Sequence, residues 1–421
     1  MRSSYVLHAP TGRSVFSRKC RRLSCARLHC TKLMPTIILK SLTVAASLSM
    51  GILSLNCSNV KISNPPQVFN QSFSPHLNDS NLTQQLLSVT NDIRVRLVWL
   101  QSQLISDDTT SYVENVENYL FNFPGSQLVI FDTDSGAGRV LDSSFTSRGT
   151  PLISRDGSQV LWSDLEQQAL YKINWDGTGR KILLQGNFYL IVCTQWDDVS
   201  KTEWLYVSNL TSFGNHMPEG DTIYRYPFDG ENLDAGKREL MSSKAYTTPW
   251  TVSGDGKYAG GDIDWPKACI EPLPDGTTYV LGDSTVANCH SQIAPDTSYL
   301  FFNLMFDHSN AHLYRFTTFL HVTSLINMPG NAKSWDCCCP RWTNNTQYLT
   351  GGYPYVTAYF YNPPLPAPKT LAPGASGEFC FGKFNQDLTA ITWVRITDMD
   401  KRFRKLVGDG WVANGEGPNK S

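Results

Sequence analysis

Residues 151–185 read PLISRDGSQVLWSDLEQQALYKINWDGTGRKILLQ, and this segment is the clearest indication of the fold. Four short runs rich in apolar residues, PLIS, QVLWSD, ALYKINW and RKILLQ, are separated by the turn dipeptides Asp156-Gly157 and Asp176-Gly177. Asp-Gly favours tight hairpins because both residues tolerate the positive φ angles that such turns need. The stretch therefore predicts four antiparallel strands in sequence order.

The same pattern returns along the chain. It recurs at residues 249–283, 290–316 and 340–352, the last continued at 379–384 and 393–396, and in degenerate form from residue 189. Residues 95–101 and 128–143 indicate strands two to four of a unit without a first strand, and residues 407–412 indicate a first strand without followers. Joining these ends predicts an all-β ring of six four-stranded blades, closed by pairing of the C-terminal strand with the N-terminal blade. An open sandwich of irregular strands is the alternative.

The unit at residues 151–185 resembles the TolB-type propeller repeat, a WD40-like repeat, in two respects. It has the Ser-x-Asp-Gly turn, Ser154 to Gly157, between its first two strands, and an Asp-Gly turn between its last two. The resemblance implies a six-bladed β-propeller. In one branch, the oligogalacturonate lyases, histidines and a glutamine hold a catalytic metal, but this sequence has no close match to that ligand pattern, so no ligand is carried over.

The near-zero net charge conceals an uneven distribution. The first 56 residues contain nine Lys or Arg and no Asp or Glu, which leaves 27 basic against 37 acidic residues in the rest. An acidic body without a basic stripe argues against nucleic-acid binding.

The N-terminal region contains an apolar run at residues 41–55, SLTVAASLSMGILSL, which is too short for a membrane span. It ends in Leu-Ser-Leu-Asn before Cys57 and resembles the signal of a bacterial lipoprotein, most closely the relaxed spirochaete type. The resemblance implies an acylated Cys57, and Met34 is the expected true start of translation. A plain cleaved signal or anchor and an organellar transit peptide are the alternatives.

The expected organisation follows from these two resemblances. Residues 1–56 are a leader, 57–91 a lipidated tether rich in Asn, Ser, Pro and Gln, 92–413 the propeller, and 414–421 a tail. The protein is expected to be a monomer in the bacterial cell envelope, lipid-anchored to a membrane and facing the periplasm or the cell surface.

Candidate site residues gather on one predicted face of the ring. Loops that enter a first strand and loops that join the second and third strands lie on the same face, which we call the insertion face. The predicted insertions are residues 102–125, 210–221, 262–267, 305–311 and 361–376. The candidate ligand residues near this face are His290, Asp307, His308, His312, Cys337, Cys338 and Cys339.

These side chains allow two interpretations. His290 and His308, with Asp307, could bind a divalent metal ion, because imidazole and carboxylate suit borderline metals. Alternatively, the histidines form hydrogen bonds within turns and the cysteines pack or form disulfides. No cofactor is otherwise indicated.

No catalytic signature stands out in the sequence. Gly-x-Ser-x-Gly, a phosphate-binding loop and His-Glu-x-x-His are all missing. We expect a non-enzymatic binding platform for an envelope protein or a polysaccharide. The alternative is a metal-dependent polysaccharide lyase or hydrolase at the mouth of the propeller channel, so the sequence leaves enzymatic activity open.

Overall fold

A computed structural model describes the part of the chain that forms the predicted ring. The described residues are 80–103, 123–186, 188–213, 218–244, 246–263, 267–281, 288–305, 310–317, 322–329, 338–353, 357–358, 369–370, 378–397 and 403–413. They all belong to the unit Lys61–Ser421. Apart from helix α1 (Ser80–Thr90) and a 3-10 turn at Ala235–Lys237, their regular elements are β-strands.

Six four-stranded antiparallel blades account for nearly all of these strands. Blade 1 contains β4 (Leu152–Ile153), β5 (Gln159–Asp164), β6 (Ala169–Asn174) and β7 (Lys181–Gln185). Blade 2 contains β8 (Phe188–Asp197), β9 (Thr202–Phe213), β10 (Pro218–Phe228) and β11 (Glu239–Ser242). Blade 3 contains β12 (Tyr246–Val252), β13 (Tyr258–Ile263), β14 (Lys267–Pro272) and β15 (Tyr279–Val280).

The other three blades complete the ring. Blade 4 contains β16 (Asn288–Ile293), β17 (Leu300–Met305), β18 (Asn310–Phe316) and β19 (Val322–Pro329). Blade 5 contains β20 (Cys338–Trp342), β21 (Tyr348–Tyr353), β24 (Glu378–Phe384) and β25 (Ile391–Thr397). The closing blade contains β26 (Phe403–Val412), β1 (Val95–Gln103), β2 (Phe123–Asp132) and β3 (Ala137–Arg148). A small hairpin of β22 (Thr357–Ala358) and β23 (Lys369–Thr370) interrupts blade 5.

Burial within blade 1 explains why its sequence gives the clearest pattern. Every residue of β5 is buried, whereas the outermost strand β7 is largely exposed. Trp162 and Tyr171 are register partners on β5 and β6, and their rings stack with centroids 5.3 Å apart. Cross-strand aromatic pairs of this kind stabilise the inner strands of a blade.

The ring closes as the sequence predicts. Strand β26 pairs with β1 in antiparallel register from Val95 opposite Val412 to Trp99 opposite Gly408, and the pairing resumes after an irregularity at Gln101. The last described strand is thus the innermost strand of a blade whose other three strands begin the propeller. This confirms the predicted closure of a six-bladed β-propeller.

Six hydrophobic clusters among the described residues lie between neighbouring blades. One cluster joins blades 1 and 2, and three others join blades 2 and 3, 3 and 4, and 4 and 5. The closing blade shares one cluster with blade 1 and another with blade 5. Trp162, Trp250 and Trp342 are buried in these layers, so the tryptophans pack between blades.

Helix α1 lies inside the segment that the sequence assigned to a tether. Leu82 and Leu86, one helical turn apart, are buried in the cluster between blade 5 and the closing blade. The helix ends where Thr90 Oγ1 donates to the Ile93 carbonyl and Asp92 N donates to the Leu87 carbonyl. Packing against the propeller therefore includes residues from Leu82 onward, ahead of residue 92.

Several predicted loops are shorter than expected because the strand ladders continue into them. In blade 2, β9 reaches Phe213 and pairs there with Pro218, which leaves residues 214–217 as the connection. Strand β13 likewise extends to Ile263. Strand β19, the outer strand of blade 4, has no counterpart in the predicted pattern.

Candidate functional site

The innermost strands of all six blades end around a cavity of about 80 Å³, which we call the axial cavity. Each strand contributes residues at or just beyond its carboxyl end, for example Ile153, Gln195, Val252, Pro295, Arg341 and Asp409. The cavity therefore lies at the end of the ring that carries the turns between first and second strands. We call this end the turn face, and it is opposite the insertion face.

Two residues of opposite charge lie inside the ring at this cavity, Arg341 on β20 and Asp409 on β26. Asp409 accepts hydrogen bonds from Ile153 N at 2.8 Å and Gly410 N at 2.9 Å. Burial raises the pKa of Asp409 to about 6, although the Arg341 charge and both N–H groups favour the carboxylate. Burial also lowers the pKa of Arg341, whose Nη2 donates to the Val192 carbonyl.

A second arginine, Arg155, lines the cavity from the turn between β4 and β5. Its guanidinium carbon lies 3.7 Å from the centroid of the Trp196 ring, a cation–π contact. Its backbone N donates to Glu203 Oε1 at 2.9 Å, and its carbonyl accepts from Trp411 Nε1. Burial raises the pKa of Glu203 to about 7, against the lowering effect of the Arg155 N–H.

Neutral amide side chains around the cavity connect neighbouring blades. Gln195 Nε2 donates to the Gly254 carbonyl at 2.9 Å, which links blade 2 to blade 3. Asn344 accepts from Val412 N at 2.8 Å and donates to the Val412 carbonyl at 3.0 Å, which links blade 5 to the closing blade. The hydrogen bonds of these amide groups thus connect neighbouring blades around the cavity.

The acidic residues of the first turns cap those turns. Asp156 accepts from Ser158 N at 2.9 Å and Ser154 Oγ at 2.7 Å, and Asp255 accepts from Ser253 Oγ at 2.8 Å. Such local bonds are characteristic of Asx turns. The Ser-x-Asp-Gly pattern is therefore explained by turn formation.

The predicted ligand residue His290 is in β16, not in a loop, and its side chain is buried. Beside it, Ser291 donates from N and Oγ to the Asp262 carboxyl, at 3.1 and 2.6 Å. Burial raises the pKa of Asp262 to about 7, against the effect of these bonds and of the His290 N–H. Asp262 lies on β13, so this polar group ties blade 3 to blade 4.

The remaining predicted site residues are not brought together by the described structure. His312 lies in β18, and its ring stacks on Tyr314 with centroids 5.8 Å apart. Cys338 and Cys339 belong to β20, but their side chains are outside the described part, as are Asp307, His308, Cys337 and Cys57. Within the described ranges, no group of three or more His, Cys, Asp or Glu is placed to hold a metal ion. The metal site stays a prediction.

Two cysteines show the thiol and the disulfide states. Cys193, on β8 at the axial cavity, is a free thiol whose pKa burial raises to about 12, so it is a poor nucleophile at neutral pH. Cys380, on β24, is disulfide-bonded.

Sequence reasoning missed the charged lining of the axial cavity. A signal was present, because Arg341 lies at the start of the predicted blade at residues 340–352 and Asp409 lies in the predicted first strand at residues 407–412. A charged residue in the innermost strand of a blade must face the propeller axis or be buried between blades, and charged residues are seldom buried.

Comparison with known proteins gives structural matches alone: no family model and no curated protein sequence matches this chain. TolB from Acinetobacter baumannii matches at 13% identity and a TM-score of 0.41, covering 79% of this chain and 70% of that one. A putative TolB from Agrobacterium tumefaciens matches at 11% identity and a TM-score of 0.40, covering 76% and 98%. An oligogalacturonate lyase in complex with manganese matches at 10% identity and a TM-score of 0.40, covering 65% and 71%.

The assignment of six blades rests on the strand pairing of this chain itself. No helix within the described ranges is both long and apolar enough to cross a membrane.

Proposed function

We propose that this protein is an exported, lipid-anchored protein of the bacterial envelope. Its propeller binds an envelope protein or a polysaccharide on the insertion face without catalysing a reaction. The anchor is the acylated Cys57, which follows the apolar run at residues 41–55. The partner meets the ring between blade 5 and the closing blade.

The observation that carries the proposal is the position of the two longest connections between second and third strands. One joins β1 to β2 through residues 104–122, and the other joins β21 to β24 through residues 354–377. They leave the same face of two neighbouring blades, because β21 and β1 occupy the same place in blade 5 and the closing blade. Long connections on a rigid scaffold are where binding residues concentrate.

The opposite face supports the same assignment. Its turns are short, and their carboxylates are used in capping, as at Asp156 and Asp255. The two blades that carry the long connections are packed tightly against each other, because α1 and a hydrophobic cluster with Phe379 and Val394 fill the space between them. A rigid base lowers the entropy lost when a surface loop binds a partner.

Photo-crosslinking on intact cells tests the proposal. A photoreactive amino acid is placed at Tyr112, within residues 104–122, and at Val199, which is 96% exposed in the β8–β9 turn on the opposite face. We expect a discrete crosslinked partner or glycan adduct from position 112, lost when residues 354–377 are replaced by a short Gly-Ser linker. Crosslinks that form from position 199 and not from position 112 would show that the partner binds the turn face, which contradicts the proposal.

A further inference from the structure

We propose that the axial cavity binds a small organic carboxylate, held between the guanidinium groups of Arg155 and Arg341. This site is separate from the partner surface of the proposed function, because it lies at the opposite end of the ring. It does not depend on lipid anchoring or on the identity of any partner.

The charge of the lining favours an anion. The ionisable side chains that line the cavity are two arginines, Arg155 and Arg341, one carboxyl, Asp409, and the thiol of Cys193. Burial keeps that thiol protonated at neutral pH. The lining side chains therefore carry an excess of one positive charge when Asp409 is ionised, which favours a monoanion; Glu203, which accepts from the Arg155 backbone N–H, lies outside the lining.

The hydrogen-bond donors best suited to an anion also belong to the arginines. Thr251 Oγ1 donates to the Ile293 carbonyl at 2.8 Å, and the Gln195 and Asn344 amides are bonded across blade boundaries. Arg341 has five N–H groups, and its one hydrogen bond within the described residues uses Nη2 alone. Planar guanidinium groups match a carboxylate in geometry, and the stacking of Arg155 on Trp196 fixes its plane.

The size of the cavity limits the ligand. An apolar cavity of about 150 Å³ accommodates the six carbon atoms of benzene, so about 80 Å³ suits roughly three to four non-hydrogen atoms, as in formate or acetate. The wall has apolar parts as well, including Val252 and Trp342, which suit the carbon end of such a molecule.

Binding would also act on the whole ring. Because all six innermost strands line the cavity, a ligand that binds the closed ring and not the unfolded chain raises the melting temperature. The increase grows with the logarithm of ligand concentration above the dissociation constant.

The experiment titrates the purified protein with sodium formate or acetate at constant ionic strength, with chloride as the balancing anion. Thermal unfolding and isothermal calorimetry measure binding, and acetamide is the neutral isostere of acetate. We expect saturable binding of at least one carboxylate and none of acetamide.

Variants then identify the site. Arg155→Gln and Arg341→Gln should each weaken binding by about 10-fold or more, because a charge-assisted hydrogen bond is lost. Arg315→Gln, at an exposed position on β18, is the matched control and should bind as wild type. If Arg341→Gln does not fold, Arg155→Gln, in the turn between β4 and β5, still tests the site.

Three outcomes would overturn the proposal. One is equal stabilisation by acetamide and acetate, and a second is unchanged affinity in Arg155→Gln. The third is a crystal soaked in carboxylate that shows only water in the axial cavity.

Discussion

The indole Nε1 of Trp411 donates a hydrogen bond of 2.8 Å to the carbonyl oxygen of Arg155. This bond joins β26, the last described strand, to blade 1. Two further hydrogen bonds cross the same boundary: Asp409 accepts from Ile153 N, and Arg96 Nη1 donates to the Gly157 carbonyl. Closure of the ring therefore depends on a few residues of β26.

Removing the Trp411 side chain should open this boundary. Trp411→Ala loses the packing of a buried indole, and we expect a loss of about 3–5 kcal/mol in the free energy of unfolding. Trp411→Phe keeps much of the packing but loses the hydrogen bond, so its loss should be smaller, with about 1 kcal/mol from the bond itself. Urea unfolding measures both. Equal stability of Trp411→Ala and wild type would show that β26 does not secure the ring.

Gly157 has a more specific requirement. Its φ angle is +76°, and a Cβ there would lie 2.6 Å from Cε2 of Trp411. Gly157→Ala therefore combines backbone strain with a clash at the closure. The matched control is Gly230→Ala, since Gly230 has φ +88° and a Cβ at that position would meet no other atom within 4 Å.

We expect Gly230→Ala to lose about 1–2 kcal/mol from strain alone, and Gly157→Ala to lose clearly more. In the double variant with Trp411→Ala, the cost of Gly157→Ala should shrink towards that of Gly230→Ala. Additive losses in the double variant would contradict the contact. Chemical denaturation of wild type, the three single variants and the double variant supplies the comparison.

The buried carboxyl of Asp262 should make stability depend on pH. Its pKa is raised to about 7 in the folded protein from an ordinary value of 3.8, so the folded state holds a proton that the unfolded chain releases. Its contribution to stability is therefore full below pH 3.8 and is lost as the pH rises through about 7. Asp262→Asn should flatten the wild-type decline by up to about 1.4 kcal/mol per pH unit within that window.

The control for this prediction is Asp176→Asn. Asp176 is an exposed turn residue whose pKa is lowered by bonds from the Thr178 hydroxyl and backbone N–H, so its effect on stability falls at acid pH. Denaturation from about pH 5 to 8 should separate Asp262→Asn from wild type and leave Asp176→Asn parallel to it. Parallel curves for Asp262→Asn and wild type would remove Asp262 as the cause.

The lipid anchor has a direct test. If Cys57 is acylated, cells fed a radioactive fatty acid should label the wild-type protein and not Cys57→Ala, and only wild type should pellet with membranes. Cys269→Ala, at a buried cysteine of β14, is the control and should label normally. Labelling of Cys57→Ala to the wild-type level would reject the anchor.

The blades were predictable because their signals are local. Asp156-Gly157 and Asp176-Gly177 specify tight turns between short apolar strands, and each turn forms within a few residues whatever the rest of the chain does. Even the closure could be inferred, since residues 95–101 lack a first strand and residues 407–412 supply one. Elements at the edge of the propeller were not predicted: the sequence pattern did not indicate the outer strand β19, and it assigned the residues of α1 to a tether.

The axial cavity and its charged lining become apparent only in the tertiary structure. Arg155, Arg341 and Asp409 come from three blades, and all three lie in or beside short strands that are distant from one another in the sequence, although Arg341 and Asp409 belong to adjacent blades. Ring closure places the ends of six innermost strands around one axis, so these charges meet at distances that no local pattern encodes. Conversely, the sequence pattern places His290 and Asp262 in loops, but the ring buries them between strands. The sequence alone determined the turns and the repeating blade, because both are set by neighbours along the chain. The structure alone determined which polar side chains face the axis and which are sealed between blades, because that depends on the packing of one blade against the next.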